Sequence, residues 1–315
     1  WGYALSAISK PMMAIFVYPL WVFLARTMDR LGKGIRTGAR DAILSDESTP
    51  STKGKVFGFH RSMDTLGAVL GPLLALGYLY FYPEDYKTLF FIAFAPGLLA
   101  IVATTLLHDK KIPAKAPLKS VSFFSFFKYL KNSPLAYKRL VMGLLIFALF
   151  NSSDVFLLLK AKESGLDDTA TIGVYIFYNL IFALTAYPLG ILADKIGLKK
   201  VFILGLLLFA GVYFGMAFTT DIRVFYFVFF LYGLFAAATD GISKAWISNL
   251  TDRKDTATAI GTFAGLQSIC AMLASTITGL LWYQFGATVA FVSTATVTLL
   301  VMVYLFAVPI KDQSS

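Results

Sequence analysis

Charged side chains inside an apolar sequence are the residues that could do chemistry here. Residues 26–41 carry seven of them at helical spacing. At about 100° per residue they fall within an arc of roughly 140°, so they share one face of a helix. Each charge costs about 2.5 to 3.5 kcal/mol at the centre of a bilayer, so this face is tolerable beside a water-filled cavity but not against lipid. The seven are Arg26, Asp29, Arg30, Lys33, Arg36, Arg40 and Asp41.

The chemistry expected of this face is recognition of a solute along its path through the membrane. Five cations against two carboxylates favour an anionic solute or one with an acidic group. A second interpretation is a solvated cytoplasmic loop that follows a single helix over 3–25.

Three further groups of polar residues lie in apolar segments. The first is His60, Arg61 and Asp64; the second is Asn151, Ser152 and Asp154; the third is Asp240 and Lys244. His titrates near neutrality and carboxylates in partly dry sites bind protons more readily, so the candidate proton carriers are His60, Asp64 and Asp154.

Each of these groups also has a structural interpretation. Asp64 could pair with a cation of the 26–41 helix and keep its charge, and Asp240 and Lys244 have the i, i+4 spacing of an ion pair. Gln267, Tyr175 and Asn179 could orient a solute or could form hydrogen bonds between helices.

Enzyme chemistry finds no support in the sequence. Neither Gly-x-Ser-x-Gly with a His nor His-Glu-x-x-His occurs, and there are two His in all. The single Cys270 excludes a disulfide within the chain and a cysteine metal site. We therefore expect no enzyme activity, no cofactor and no metal.

Composition places these residues in a membrane protein. Of 315 residues, 57% are hydrophobic and 15% are charged, which is far outside the range of soluble proteins. The net charge of +10 is explained by cytoplasmic loops and the charged helix, so no nucleic-acid partner is implied. About ten segments are long enough to span a bilayer. They are 2–17, 19–45, 56–81, 88–107, 140–159, 169–193, 201–218, 224–249, 256–283 and 287–308.

The distribution of Lys and Arg predicts the orientation. Sixteen lie in loops on one side of the predicted spans and four on the other, which places the central loop, 108–139, and the C-terminus in the cytoplasm. This loop reads as a linker between two halves, 1–107 and 140–315. Within it, residues 120–131 suit a helix in the membrane interface, although an irregular loop is an alternative.

An internal repeat decides where the charged stretch lies. Aligning Gly34 with Gly241 superposes 19–45 on 226–252. The second copy is a clear membrane span that carries Asp240 and Lys244, so we place the first copy in the membrane as well. The same offset predicts that Trp1 lies inside a helix, that roughly seven residues of this helix are absent, and that two further helices precede it.

Three motifs resemble those of the major facilitator superfamily. Residues 190–200 resemble its Gly-x-x-x-Asp-Arg-x-Gly-Arg-Arg loop between helices eight and nine, with Lys in place of Arg. Residues 67–72 resemble the Gly-Pro motif of the fifth helix in many antiporters, where small residues permit close packing. Arg26, Gly32 and Gly34 resemble the fourth-helix pattern. The gating or structural motif residues are Gly67, Gly71, Pro72, Gly190, Asp194, Lys195, Gly197, Lys199 and Lys200. Asp194 can cap a helix end while the basic residues meet lipid headgroups.

The resemblance implies an all-α bundle of two six-helix halves, of which this chain carries helices three to twelve. Helices four, seven and ten would line a central cavity. Its predicted residues are Arg26, Asp29, Arg30, Lys33, Arg36, Asn151, Asp154, Asp240 and Lys244.

The implied function is secondary active transport of a small solute by alternating access, with protons as a further partner. Alternatives are a multidrug/proton antiporter and a non-transporting receptor on the same fold. We expect a monomer in the lipid bilayer, integral to the plasma membrane or the cell inner membrane.

Overall fold

The computed structural model describes residues 1–16, 18–106 and 125–310, which form helices and no strands. The elements, in chain order, are α1 (Gly2–Ile15), α2 (Pro19–Asp46), α3 (Lys53–Phe81), α4 (Tyr86–Thr105), α5 (Ser125–Asn132), α6 (Leu135–Phe150), α7 (Val155–Glu163), α8 (Asp168–Ile196), α9 (Leu198–Phe218), α10 (Ile222–Asn249) and α11 (Thr256–Ala307). The expectation of an all-α fold is confirmed for these residues.

Seven helical segments in the described residues are long and apolar enough to cross a membrane. One of them, α11, has 52 residues, and the positive φ of Gly286 (84°) divides it into two helices where the sequence predicts a break between spans. The other six are α3, α4, α6 with α7, α8, α9 and α10. The protein is therefore multi-pass, whereas the count of ten spans stays a prediction.

The predicted span 140–159 is confirmed as part of a candidate span, Leu135–Glu163, which the structure divides into two helices. α6 ends at Phe150, α7 begins at Val155, and Asn151 between them has φ −82° and ψ 85°. The four intervening residues, Asn-Ser-Ser-Asp, have side chains that compete for backbone hydrogen bonds and so favour a break. The length of the apolar segment predicts a span but does not show where a helix within it ends.

The chain divides into two compact units. One comprises Trp1–Arg40 and Leu73–Lys128, the other Asp41–Pro72 and Tyr129–Ser315. The predicted halves, 1–107 and 140–315, stay a prediction. Residues 108–124 of the predicted linker lie outside the described residues, whereas α5 occupies the end of the predicted interfacial helix.

In the first unit, small residues bring α1 close to its neighbours. A Cβ on Gly2 would lie 2.8 Å from the Gly32 carbonyl oxygen of α2, and one on Gly97 of α4 would lie 2.9 Å from the Cβ of Ala7. The Trp21 indole also donates to the Met12 carbonyl at 2.6 Å, which joins the start of α2 to α1. This packing fixes which residues of α2 face α1.

The second unit has an aromatic core built by α6, α9, α10 and α11. The ring centre of Phe209 lies 4.3 Å from that of Tyr213 and 4.5 Å from that of Phe235. The ring of Phe147, on α6, packs edge-on against the Phe209 ring. Phe209 and Tyr213 are fully buried. Offset and edge-on ring pairs of this kind stabilise beyond their buried area. They fix the positions of α6 and α10, which carry the polar residues of the candidate site.

Candidate functional site

Five charged residues meet where α2, α3 and α10 come together in the second unit, and we call them the charged cluster: Asp41, Arg61, Asp64, Asp240 and Lys244. Lys244 Nζ lies 2.7 Å from Asp41 Oδ2, with both side chains buried. Arg61 lies 2.9 Å from Asp240 and 2.9 Å from Asp64. The cluster therefore ties α10 to α2 through one ion pair and to α3 through another.

The predicted pair between Asp240 and Lys244 is replaced by pairs to other helices. Both residues lie on one face of α10, as their spacing requires. That face meets α2 and α3. Arg61 of α3 donates a hydrogen bond to Asp240, and Lys244 donates one to Asp41 of α2. Asp64 pairs with Arg61 of its own helix, a partner that the sequence analysis did not consider. His60, one turn before Asp64, is half-buried.

A second polar contact lies one turn further along α2 and α10. Ser45 Oγ and Ser248 Oγ are 2.6 Å apart, and both side chains are buried. Lys53 Nζ at the start of α3 donates to the carbonyl oxygen of Ser248 at 2.7 Å and to its hydroxyl at 2.6 Å. The sequence analysis missed Lys53, because a lysine before a span reads as an ordinary loop cation.

Asp194, at the end of α8, caps α3 rather than its own helix. Its carboxylate accepts the backbone N–H groups of Gly54 and Lys55, each at 2.7 Å. A carboxylate at a helix N-terminus is favoured both by these free donors and by the helix dipole. The approach is close because a Cβ on Gly54 would lie 2.6 Å from the Gly190 carbonyl oxygen.

The rest of the 190–200 motif turns the chain and holds α11. Gly197, with φ 108°, makes the connection between α8 and α9. Lys199 Nζ donates to the carbonyl oxygens of Phe306 at 3.1 Å and Val308 at 3.4 Å, where a cation is favoured by the helix C-terminus. Lys195 and Lys200 are exposed, and their contact with lipid headgroups stays a prediction.

Among the residues that the structure describes, none packs closely against Gly67 or Gly71. A Cβ on either residue would meet no atom of the described residues within 4 Å, and α3 continues through Pro72 without a break. Close approach occurs instead nearer the start of α3, where a Cβ on Gly58 would lie 3.2 Å from the Gly190 Cα. Small residues permit a close approach, but the neighbouring helix decides where it happens.

The charged face of α2 is divided in the first unit. Asp29 pairs with Lys10 of α1 at 3.4 Å, and the Arg36 guanidinium lies 4.6 Å from the ring centre of Tyr3. Lys33 is exposed. Arg26 and Arg30 are exposed as well, and no carboxylate of the described residues lies within 4 Å of either. α1 therefore covers one edge of the face, and these two arginines lie outside it.

A cavity of about 270 Å³ lies in the second unit beside the charged cluster. Predicted residues Asn151, Asp240 and Gln267 are in its wall, whereas Asp154 and Lys244 are not. Its other lining residues are Leu144, Phe147, Phe202, Tyr232, Phe235, Ala236, Thr239, Ser243 and Phe263. Aromatic rings with a few convergent polar groups are typical of a small-molecule site.

Asp154 lies behind this wall at the start of α7. Its carboxylate accepts the hydroxyl of Tyr178 and, at 3.3 Å, that of Ser153. The Tyr178 ring centre is 5.2 Å from that of Tyr232, which lines the cavity. The predicted solute-orienting pair Tyr175 and Asn179 bond to each other, since the Asn179 amide donates to the Tyr175 carbonyl at 2.9 Å.

Comparison with protein families decides the class. The family model of the Major Facilitator Superfamily matches residues 1–183 and 160–315. The chain belongs to the major facilitator superfamily. Superfamily members are transporters rather than enzymes, so the expectation that this membrane protein is a transporter is confirmed.

Relatives and solved structures agree with this assignment. An uncharacterized MFS-type transporter of Methanocaldococcus jannaschii is 32% identical over 305 residues, which cover 93% of this chain and 75% of the relative. The human organic anion transporter MFSD10 has a TM-score of 0.76 at 17% identity and is matched over 96% of this chain and 75% of its own. The Escherichia coli fucose:proton symporter FucP has a TM-score of 0.76 at 14% identity, over 97% and 82%. At these identities the two structures show a shared fold.

Proposed function

We propose that this superfamily member is a secondary active transporter of a small solute with an acidic group. The observation that carries the proposal is the pair Arg26 and Arg30, two exposed arginines without a carboxylate within 4 Å among the described residues. They lie on α2, for which the internal repeat predicts a position in the membrane. Exposed arginines on such a helix are tolerable where they face water and can bind an anion.

The charged cluster supports alternating access. Lys244 with Asp41, and Arg61 with Asp240, join α2 and α3 of the first repeat to α10 of the second. Asp194 adds two hydrogen bonds from the start of α3 to α8. We propose that these contacts close the cytoplasmic end of the second unit and that they break together when this end opens.

The aromatic walls of the cavity favour a second candidate, efflux of amphipathic organic solutes. Phe147, Phe235 and Phe263 offer apolar surface, and Asp240 offers a carboxylate to a cationic group. This arrangement is what a multidrug antiporter would use. A receptor that binds such a solute without moving it is the remaining alternative.

Flux measurements separate these functions. The purified protein is reconstituted into liposomes and tested with radiolabelled lactate, malate and glucose 6-phosphate, and with the cation tetraphenylphosphonium. We expect uptake of at least one acid above that of protein-free liposomes and none of the cation. Transport of the cation alone would favour efflux of cationic drugs, and binding without flux would favour the receptor; either result would overturn the proposal.

A further inference from the structure

Lys53 differs from the other charged side chains that are buried. Within the described ranges these are Asp41, Lys53 and Lys244. Asp41 and Lys244 pair with each other at 2.7 Å. Lys53 Nζ donates to the carbonyl oxygen and the hydroxyl of Ser248, and no carboxylate of the described residues lies within 4 Å of it. Its positive charge is therefore buried without a full opposite charge beside it.

Two nearby groups offset only part of this charge. Ser248 lies in the last turn of α10, where the helix dipole supplies roughly half a negative charge. Asp46 interacts electrostatically with Lys53, but its carboxylate accepts Nε of Arg253 at 2.8 Å. Because a charge removed from water is disfavoured unless an opposite charge balances it, an anion near Lys53 would be stabilised.

A cavity of about 290 Å³ adjoins Lys53, and we call it the end cavity because the ends of four helices build its wall. Its lining includes Ser45 and Asp46 of α2, Lys53 of α3, Ser248 of α10 and Thr256 of α11, with Arg253 in the loop before α11. A water molecule in the liquid occupies about 30 Å³, so the end cavity has room for a small ligand.

The cationic groups of this wall retain unused hydrogen-bond donors. Lys53 has three N–H bonds, of which two point to Ser248. Arg253 uses Nε for Asp46, and its terminal amino groups have no partner in the part of the chain that the structure describes. α11 begins at Thr256, and the preceding Asp255 does not cap this end with its side chain. Free N–H groups at the start of a helix favour an anion, so donors from three elements adjoin one cavity.

We infer that the end cavity binds a phosphate group, as the inorganic ion or as a small phosphate monoester. A tetrahedral oxyanion has enough oxygens to accept from Lys53, Arg253 and the start of α11 at once, whereas a carboxylate has two. Two cations against one carboxylate disfavour a metal ion at this place. The distribution of Lys and Arg predicts that these loops face the cytoplasm, so the ligand would come from there.

An occupied end cavity should favour the closed conformation. The cavity joins α2 and α3 to α10 and α11, whose contacts we propose to break when the cytoplasmic end of the second unit opens. A ligand that binds one of two conformations shifts the population toward it. This consequence rests on the proposed function, whereas the binding site does not.

Binding of ³²P-labelled inorganic phosphate to the purified protein tests the site without transport. Equilibrium dialysis at constant ionic strength should show saturable binding to the wild-type protein. Lys53→Met and Arg253→Gln should each weaken it about tenfold or more, as expected for the loss of a charge-assisted hydrogen bond. Lys254→Gln, on an exposed residue of the same loop, should keep the wild-type affinity.

Hydrogen–deuterium exchange of the wild-type protein locates the ligand and requires no variant to fold. Phosphate should slow exchange of the backbone N–H groups in both 45–53 and 248–256, relative to sodium chloride of equal ionic strength. Glycerol phosphate should compete with labelled phosphate, whereas dimethyl phosphate, a diester like that of a lipid headgroup, should compete weakly because two of its oxygens are blocked.

Four results would overturn the inference. They are the absence of saturable binding to the wild-type protein, unchanged exchange in both segments, and wild-type affinity in both Lys53→Met and Arg253→Gln. The fourth is competition by dimethyl phosphate equal to that by phosphate, which would indicate a lipid headgroup as the occupant. Loss of binding in Arg26→Gln with binding kept in Lys53→Met would likewise refute it, and would indicate that phosphate occupies the proposed transport site.

Flux separates the failure of this inference from that of the proposed function. With an acid that the protein transports into liposomes, phosphate on both sides should slow flux through the wild-type protein but not through Lys53→Met. Equal slowing in both would refute the closing role and indicate competition at the transport site. If no acid is transported while phosphate binding depends on Lys53, the proposed substrate class fails and the phosphate site stands.

Discussion

Lys244 of α10 donates to Asp41 of α2 at 2.7 Å in a buried contact between residues 203 positions apart. One turn further along both helices, Ser45 Oγ lies 2.6 Å from Ser248 Oγ. Asp41 precedes Ser45 on α2 just as Lys244 precedes Ser248 on α10, so the two helices run parallel where they meet. The internal repeat predicted from the sequence pairs these same two segments, 19–45 and 226–252.

The first prediction concerns this buried pair. Asp41→Leu or Lys244→Met alone should lower the free energy of unfolding by about 3 to 5 kcal/mol, because each leaves a buried charge without its partner. Combining Asp41→Leu with Lys244→Met should recover most of the loss, since an apolar pair has no charge to desolvate. Thermal unfolding in detergent measures all of these variants.

The exposed pair Lys162 and Asp168 is the matched control, and breaking it should cost less than about 1 kcal/mol. Additive losses in the Asp41 and Lys244 double variant would contradict the idea that the two residues act as a pair.

The second prediction concerns Asp194 and the proposed opening of the cytoplasmic end of the second unit. Asp194→Asn removes one of the two oxygens that accept backbone N–H groups at the start of α3 and removes the charge from the other, so the open state should become more populated. In a Cys270→Ala background, a cysteine at the buried position Ser45 should then react about tenfold faster or more with a water-soluble maleimide.

Asp221→Asn serves as the control for this experiment. Asp221 accepts the backbone N–H of Arg223 at 2.8 Å at the start of α10. It is therefore also a carboxylate that caps a helix N-terminus, but it lies at the end of α10 opposite to Ser248. Equal labelling rates in Asp194→Asn and the parent protein would show that the Asp194 cap does not hold this end closed.

The third prediction compares glycines on one helix. Gly54→Ala should destabilise the protein, because the new Cβ would lie 2.6 Å from the Gly190 carbonyl oxygen and α3 would have to move away from α8. Gly67→Ala should be neutral or stabilise by up to about 1 kcal/mol, since its Cβ meets nothing within 4 Å in the described residues and alanine favours the helix. Melting temperatures that fall equally in both variants would refute the assignment of close packing to the start of α3.

The fourth prediction concerns the exposed cations of α2. Arg26→Gln and Arg30→Gln should each weaken binding of a transported acid about 10- to 150-fold, the range expected for loss of a charge-assisted hydrogen bond. Protein level in the membrane should change little. Lys254→Gln, on an exposed residue outside the described sites, controls for the change in net charge. Unchanged affinity for every transported acid in both variants would exclude an anion site on α2.

The sequence by itself determined the class of the protein. Apolar length and composition require a multi-pass helical membrane protein, because only internally hydrogen-bonded segments are stable in lipid. The 190–200 motif and the internal repeat identified the superfamily fold, and helical spacing put Asp240 and Lys244 on one face of α10. These properties depend on residues close together in the chain, so they can be read without knowing how the helices pack.

Only the tertiary structure decided which charges pair, where helices touch and where one breaks. Lys244 pairs with Asp41 rather than with Asp240, and Arg61 pairs with Asp240, because packing brings cations and carboxylates from distant helices within 3 Å. Asp154 is left with hydroxyl donors because no cation of a neighbouring helix reaches it in the described residues. Ion pairing falls off with distance, and distances between helices far apart in sequence are set by how their side chains pack.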